Sequence, residues 1–296
     1  MEITFLGTTA MVPTKERNHP AIFLKYRTEG ILFDCGENTQ RQMKKFGIKI
    51  TKITKILITH WHGDHVLGLP GLLQSIFSTE GTKKIKIYGP TGTKKYFKSL
   101  IGGLASESEI NVELKEVKDE KFFENNKFKL ETKSMKHTTP CNAYSFIEKD
   151  KRKIMMAKVK KLGMKEGPIL GELQKGKTVK FKGKIIKPDD VSTTEKGKKI
   201  TYITDTTAVK NCYEIAKDAD LLICESTFAS DMEKKAHERG HMTAKEAAQI
   251  ASKANVKKLI LTHFSTRYKE TSLLEEDARN IFDNTLCAYD GMKVKI

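Results

Sequence analysis

The 296-residue chain has one tryptophan, seven prolines and five cysteines, and none of its apolar runs exceeds the length of a strand. A bilayer span needs about 20 consecutive apolar residues, so membrane insertion is not expected. The N-terminus, MEITFLGTT, opens directly into a strand pattern and not into a charged leader with an apolar core, so export is not expected either. The cysteines (Cys35, Cys141, Cys212, Cys224, Cys287) are odd in number, widely spread and never paired as C-x-x-C. Neither a disulfide framework nor a thiolate zinc site follows, and reduced thiols in a cytoplasm are the expectation. Acidic residues are also scarce: 37 Asp+Glu face 54 Lys+Arg, a formal charge of +17. Such an excess attracts polyanions without saying which one.

The basic excess is local. Lys151 to Lys187 holds thirteen Lys/Arg against Glu166 and Glu172, a net +11, with Phe181 its one aromatic and Gly163, Gly167-Pro168, Gly171, Gly176 and Gly183 as breaks. That composition argues against a packed core and for a protruding arm, 151–187, set into a body formed by 1–150 and 188–296. A solvated Lys-rich insertion of a heat-adapted protein is the alternative. In the body, β-branched runs alternate with amphipathic stretches, as in a layered α/β (α+β) fold. Strands are expected at 2–6, 21–26, 30–33, 55–59, 84–88, 199–204, 221–224 and 258–261, and helices at 67–79, 92–100, 208–216, 243–254 and 273–284. Lys55-Ile-Leu-Ile-Thr-His60 and Lys258-Leu-Ile-Leu-Thr-His263 echo one another, a weak sign of two related halves meeting at one site.

Five apolar runs end in a side chain that can ligate or titrate: Asp34, His60, Asp205, Glu225 and His263. Ligands in loops above a rigid sheet are what a metal site in a layered fold requires. The sharpest signal is Thr59-His60-Trp61-His62-Gly63-Asp64-His65. Eight histidines in 296 residues give about 0.16 per six-residue window by chance, and this window has three plus an aspartate. At a strand end His60 and His62 point the same way and can grip one ion, while Gly63 permits a turn that brings Asp64 and His65 to a neighbouring position. Two ions about 3.5 to 4 Å apart are the geometry this split implies. Imidazole with carboxylate favours zinc, with manganese or iron as substitutes. His137, Asp205 and His263 are the further ligand candidates, and Asp205 has two oxygens with which to bridge. His241, at a helix N-terminus, is a candidate acid. His19 and His237 have no partner pattern and read as ordinary loop or surface residues.

With these residues the chain resembles the metallo-β-lactamase superfamily, whose T-H-x-H-x-D-H signature is intact at Thr59 to His65. Within it the chain is similar to the ribonuclease Z family across nearly its whole length. Pro13-Thr14-Lys15-Glu16-Arg17-Asn18 fits that family's P-x-K-x-R-N loop, and Phe33-Asp34-Cys35-Gly36-Glu37 its F-D-C-G-E turn. Gly167-Pro168-Ile169-Leu170-Gly171 resembles the Gly-Pro motif of its RNA-binding arm, and Ser265-Thr266-Arg267-Tyr268 its Ser-x-Arg-Tyr tail. Two boxes depart: H-E-A-T reads Cys224-Glu225-Ser226-Thr227, and H-S-T reads His241-Met242-Thr243.

The resemblance implies a four-layer αββα sandwich with a basic arm, and two zinc ions per subunit, or manganese or another divalent ion in their place. One zinc would be held by His60, His62, His137 and Asp205, the other by Asp64, His65, Asp205 and His263. It implies an endoribonuclease that removes the 3′ trailer from precursor tRNA, leaving a tRNA 3′-hydroxyl and a 5′-phosphorylated trailer, and a homodimer. Asp64 would accept the proton of the attacking water or serve as a ligand alone. His241 would protonate the departing oxygen, oriented by Glu225. Arg267 would clamp phosphate or form a structural salt bridge, with Ser265 and Tyr268 beside it. Lys15, Arg17 and Asn18 would shape the substrate loop, and Gly167 and Pro168 would belong to the RNA-binding arm. The competing readings are another hydrolase of the same superfamily, acting on a β-lactam, thioester or other ester, and a non-catalytic RNA-binding protein with a structural metal.

Overall fold

The computed structural model describes residues 1–80, 84–104 and 110–296. The first half builds strands β1 (Glu2–Gly7), β2 (Ala21–Tyr26), β3 (Glu29–Phe33), β4 (Lys55–Leu57), β5 (Ile85–Gly89) and β6 (Val112–Glu116). Next come β7 (Lys121–Glu124), β8 (Phe128–Met135) and β9 (Cys141–Glu148), then β10 (Lys151–Ile154), β11 (Val179–Phe181), β12 (Lys184–Ile186) and β13 (Ser192–Glu195). The chain closes with β14 (Lys199–Ile203), β15 (Leu221–Glu225), β16 (Leu259–Thr262), β17 (Thr285–Cys287) and β18 (Lys293–Lys295). Among the described residues fourteen of these form two mixed seven-stranded sheets, ordered β18-β1-β2-β3-β4-β5-β6 and β17-β16-β15-β14-β9-β8-β7, and the other four pair as β10-β13 and β11-β12.

Strands such as β15 and β16 read as continuous apolar runs because both of their faces are covered. In β15, Leu221 and Ile223 enter the core between the sheets, while Leu222 and Cys224 face the helices outside. In and just beyond β4, Leu57 points inward and Ile56 and Ile58 outward. Phe5, Phe33, Phe146 and Tyr202 fill the inter-sheet layer. Helices Leu69–Glu80 and Thr93–Ile101 cover the first sheet, and Lys210–Ala216, Ala244–Lys253 and Ser272–Arg279 cover the second, giving an αββα sandwich. The two echoing strands are β4 and β16, one in each sheet.

The Lys-rich segment stands on a two-stranded stem, β10 paired antiparallel with β13, so its return strand lies beyond Lys187. Composition argued against a packed core there, and the structure corrects this: Val159, Met164, Leu170, Leu173, Ile186 and Val191 form a small one. Helices Met156–Lys161, Pro168–Gln174 and Pro188–Val191 and the β11–β12 hairpin bring these six together, leaving the lysines outside.

Candidate metal centre

The site lies where strands of both sheets end. Asp34 and His263 directly follow strands and Asp205 follows β14 after one intervening residue; the three hold φ of 55°, 60° and 51°, left-handed values that turn the chain sharply off the sheet. Non-glycine residues hold that conformation at a cost and only where their surroundings fix them, as side chains buried in the site do here.

Two groups of donors converge. In the first, Nδ1 of His62 lies 3.0 Å from Nε2 of His60 and 3.3 Å from Nε2 of His137. Both Nε2 atoms lie 3.9 Å from Oδ1 of Asp205. In the second, Oδ2 of Asp64 lies 3.4 Å from Nε2 of His65 and 3.8 Å from Nε2 of His263. These two imidazole nitrogens each stand 3.3 Å from Oδ2 of Asp205. Asp205 thus presents one oxygen to each group.

The ring nitrogens that face away from the site are engaged, which fixes the tautomers. Nδ1 of His65 donates to Oδ2 of Asp34 at 2.8 Å, and Nδ1 of His137 to the Gly240 carbonyl at 3.0 Å. The Thr59 hydroxyl donates to Asp34, leaving its oxygen to accept from Nδ1 of His60 at 3.1 Å. The Thr227 hydroxyl donates to Glu225 at 2.7 Å and accepts from Nδ1 of His263 at 3.0 Å. Each of these rings therefore turns a bare Nε2 inward. Those of His65 and His263 are buried and without a hydrogen-bond partner.

Buried lone pairs with no donor, beside two carboxylates, fit a cation. Burial holds the His60 pKa well below its ordinary value, keeping that imidazole neutral and able to ligate. Burial also disfavours charge on His65, but Asp64, Asp205 and Asp34 override it and push its pKa well above the usual range. Asp205 stays ionised despite burial because His263, His65 and His60 surround it. The same field that would hold a proton on His65 would be met by a divalent ion, and the donor set of imidazoles and carboxylate oxygens is that of zinc. The two groups fit a dinuclear zinc centre.

His241 stands at the edge of both groups. Its Nδ1 is 3.1 Å from Oε2 of Glu225 and 3.7 Å from Oδ1 of Asp205. Burial opposes its charge, yet the fully buried Glu225 prevails and pushes its pKa up to about 9. A cleft of about 460 Å³ opens beside it, lined by Lys136, His137, Thr138, Thr207 and Gly240 among others. The two departures from the family boxes touch one another: Cys224 Sγ lies 3.6 Å from Met242 Sδ in the core behind the site.

The outer candidates are dispersed. Arg267 is exposed, with Nε 3.2 Å from Ser265 Oγ and its guanidinium 5.2 Å from the Phe228 ring centre, and it has no carboxylate partner among the described residues. The Tyr268 hydroxyl accepts from the Ala229 amide at 2.9 Å. Arg17 donates to the carbonyls of Tyr268 and Lys269, lashing its loop to that tail. Lys15 is exposed on the same loop, and Gly167 and Pro168 are exposed on the arm at the start of helix Pro168–Gln174. His237 is half exposed and pairs with Glu246 at 2.6 Å. His19, expected as an ordinary loop or surface residue, is instead buried. The pattern of single residues gave no role to Thr59, Thr227 and Gly240; Asp34 was visible as a strand-end acid, but its grip on His65 was not.

The Anti-Pycsar protein Apyc1 family model matches residues 1–158, and the beta-lactamase superfamily domain model matches 190–264. A ribonuclease Z of Methanothermobacter thermautotrophicus is 42% identical over 299 aligned positions, covering 100% of this chain and 97% of its own. One of Bacillus thuringiensis is 40% identical, covering 98% and 97%. The crystal structure of human tRNase Z, short form, superposes with a TM-score of 0.71 at 28% identity, covering 100% of this chain and 99% of the other.

Proposed function

The chain belongs to the ribonuclease Z family, zinc-dependent endoribonucleases on the metallo-β-lactamase fold, and from that premise we propose that its substrate is precursor tRNA, cut on the 3′ side of the discriminator. The products are a tRNA 3′-hydroxyl and a 5′-phosphorylated trailer. The observation that carries this reading is the placement of His241, held by buried Glu225 at the rim of the two donor groups.

Bound zinc ions supply a water ionised near neutral pH and positive charge for the phosphate. His60, His62, His137 and Asp205 would hold one ion, and Asp64, His65, Asp205 and His263 the other. Asp64, fixed by the Met11 amide at 3.0 Å, is also placed to accept the proton of the attacking water. His241 donates a proton to the departing 3′ oxygen, and Glu225 keeps its imidazole aimed. Arg267, which has no carboxylate partner among the described residues, takes phosphate oxygens, with Ser265 beside it. Tyr268 and Arg17 hold the loops that frame the substrate, and Lys15 faces the RNA.

The +11 segment serves as an RNA-binding arm through contacts to phosphates that carry little sequence information. Its stem leaves the sandwich at the Glu148 end of β9, whereas the Cys141 end adjoins the metal ligands. An eight-residue strand sets these ends about 25 Å apart. That separation favours a homodimer in which each arm reaches the partner's site. Among the described residues no helix is long and apolar enough to cross a membrane, and a cytoplasmic setting agrees with the free cysteines.

The test is cleavage of a tRNA precursor with a short trailer, the cut mapped to the nucleotide, with zinc present and after chelation. Nitrocefin and a thioester serve as controls. A cut elsewhere than after the discriminator, or hydrolysis of a control in place of RNA, would overturn the proposal. Removing the arm should impair the tRNA reaction and spare bis(p-nitrophenyl) phosphate.

A further inference from the structure

His19 is 5% exposed in the middle of a polar loop, and its imidazole reaches an unusual partner. Its Nε2 lies 3.0 Å from the carbonyl oxygen of Met11, to which it donates. Met11 holds φ of 61°, a left-handed value, and its own amide donates to Oδ2 of Asp64 at 3.0 Å. The Ala10 carbonyl, on the other side of that peptide, is taken by the Val12 amide at 2.6 Å. One tight turn therefore has its carbonyl on His19 and its N–H on a carboxylate of the metal centre.

The anchoring shows which part holds which. On either side of His19 the backbone is tied to the body: the Asn18 amide donates to Oδ2 of Asp290 at 2.7 Å, the Asn18 side chain to the Glu37 carbonyl at 2.8 Å, and the Pro20 carbonyl accepts from Gly36 at 3.0 Å. The turn it meets is at the surface, with Met11 75% and Val12 56% exposed. Gly36 makes room for the arrangement. A Cβ there would lie 2.5 Å from Cβ of His19 and 2.3 Å from the Asp64 carbonyl oxygen, so glycine lets the ring pack beside the Asp64 backbone.

We infer that His19 is a positioning residue for Asp64: it locks the Met11 turn so that the Met11 amide holds the carboxylate in place for metal binding. The inference rests on Asp64 belonging to the metal centre and is independent of which RNA is cut. Groups that orient metal ligands from outside typically contribute about 10- to 100-fold in metal affinity or activity.

The test separates the donor from the bulk of the ring. Gln carries its amide nitrogen near the place of the imidazole Nε2, and Asn near that of Nδ1. His19→Asn should weaken the looser of the two zinc ions about 10-fold or more, measured by chelator competition on the whole enzyme, and lower kcat on bis(p-nitrophenyl) phosphate similarly with KM unchanged. His19→Gln should keep both values within about threefold of the parent. Equal losses in the two variants, or no change in the zinc affinity of His19→Asn, would overturn the assignment. Asp64→Ala is the check on the underlying reading: if it retains both zinc ions, the placement of Asp64 in the centre is wrong, whatever the His19 variants do.

Discussion

Replacing His241 by Ala tests the proposed donation of a proton to the leaving group. The variant should fold, because Glu225, though fully buried, keeps three donors: the Thr206 amide at 2.7 Å, the Thr227 hydroxyl at 2.7 Å and the Met242 amide at 3.4 Å. The loss of one charge-assisted hydrogen bond then costs about 1.5 to 3 kcal/mol of stability. Both zinc ions should remain, since eight donor contributions around the two groups, Asp205 counted in each, come from residues other than His241. General acid catalysis contributes about 10²- to 10⁴-fold, or about 2.7 to 5.4 kcal/mol of barrier. That factor should appear only where the leaving group needs a proton. A ribose 3′ oxygen departs as a poor alkoxide, whereas p-nitrophenolate is stable as the anion. Steady-state kcat should therefore fall by the full factor on precursor tRNA and by less than about tenfold on bis(p-nitrophenyl) phosphate. Equal losses on the two substrates would refute the acid role, and loss of a zinc ion would reassign His241 as a ligand beside Asp205 and His263, a grouping that the distances also permit.

Gly240 holds φ of 73°, and a Cβ there would lie 2.9 Å from Nδ1 of His137. Gly240→Ala should thus displace that ring, cost about 1 to 2 kcal/mol in thermal or urea unfolding, and weaken zinc about 10- to 100-fold by chelator competition. If the arm works in trans, armless subunits with an intact centre, mixed and re-equilibrated with His241→Ala subunits that keep the arm, should regain tRNA cleavage that neither shows alone. Failure to regain it in a verified heterodimer would restrict the arm to its own subunit. Asp290 accepts from Thr8, Asn18 and Gln42, yet burial prevails and pushes its pKa up to about 6. A carboxyl raised in the folded state binds its proton more tightly there than when unfolded, so its contribution falls as pH rises from about 4 to 6. The stability difference between the parent and Asp290→Asn should shift against the parent by up to about 3 kcal/mol across that window, and a flat difference in urea unfolding would contradict it.

The metal centre was legible because strands covered on both faces write uninterrupted apolar runs, and a ligand that ends such a run stands out. The five helices that cover the sheets were legible for the related reason that one covered face repeats every three to four residues, and Ala244–Lys253 begins within a residue of its expected start. Strands β6 to β9 were not. Phe128–Met135 buries Phe128, Leu130 and Thr132 and follows each with a charged residue, Lys129, Glu131 and Lys133, so its charge obscures the period. In Cys141–Glu148 polar residues are buried alongside the apolar ones: Asn142 donates to the Val117 carbonyl at 2.8 Å, and Ser145 shares a hydrogen bond with Thr201 at 2.7 Å. Such residues read as loop until their partners are known.

The same limit explains why the outer supports of the site stayed hidden while its clustered donors did not. A ligand is recognisable by its own chemistry. A support is recognisable only by its partner, and Gly240 meets His137 across 103 residues, Thr227 meets His263 across 36, and His19 reaches Asp64 only through Met11. Cys224 and Met242 make the point from the other side. Read singly they are two losses from family boxes; in contact they are two soft side chains filling one space behind His241 and Glu225, in the apolar layer between β15 and helix Ala244–Lys253. Neither removes a donor from Glu225, whose partners are the Thr206 and Met242 amides, the Thr227 hydroxyl and His241. Because Met242 contributes its backbone and not its side chain to that network, the pair can differ from the family pattern while the carboxylate that aims His241 stays fully bonded.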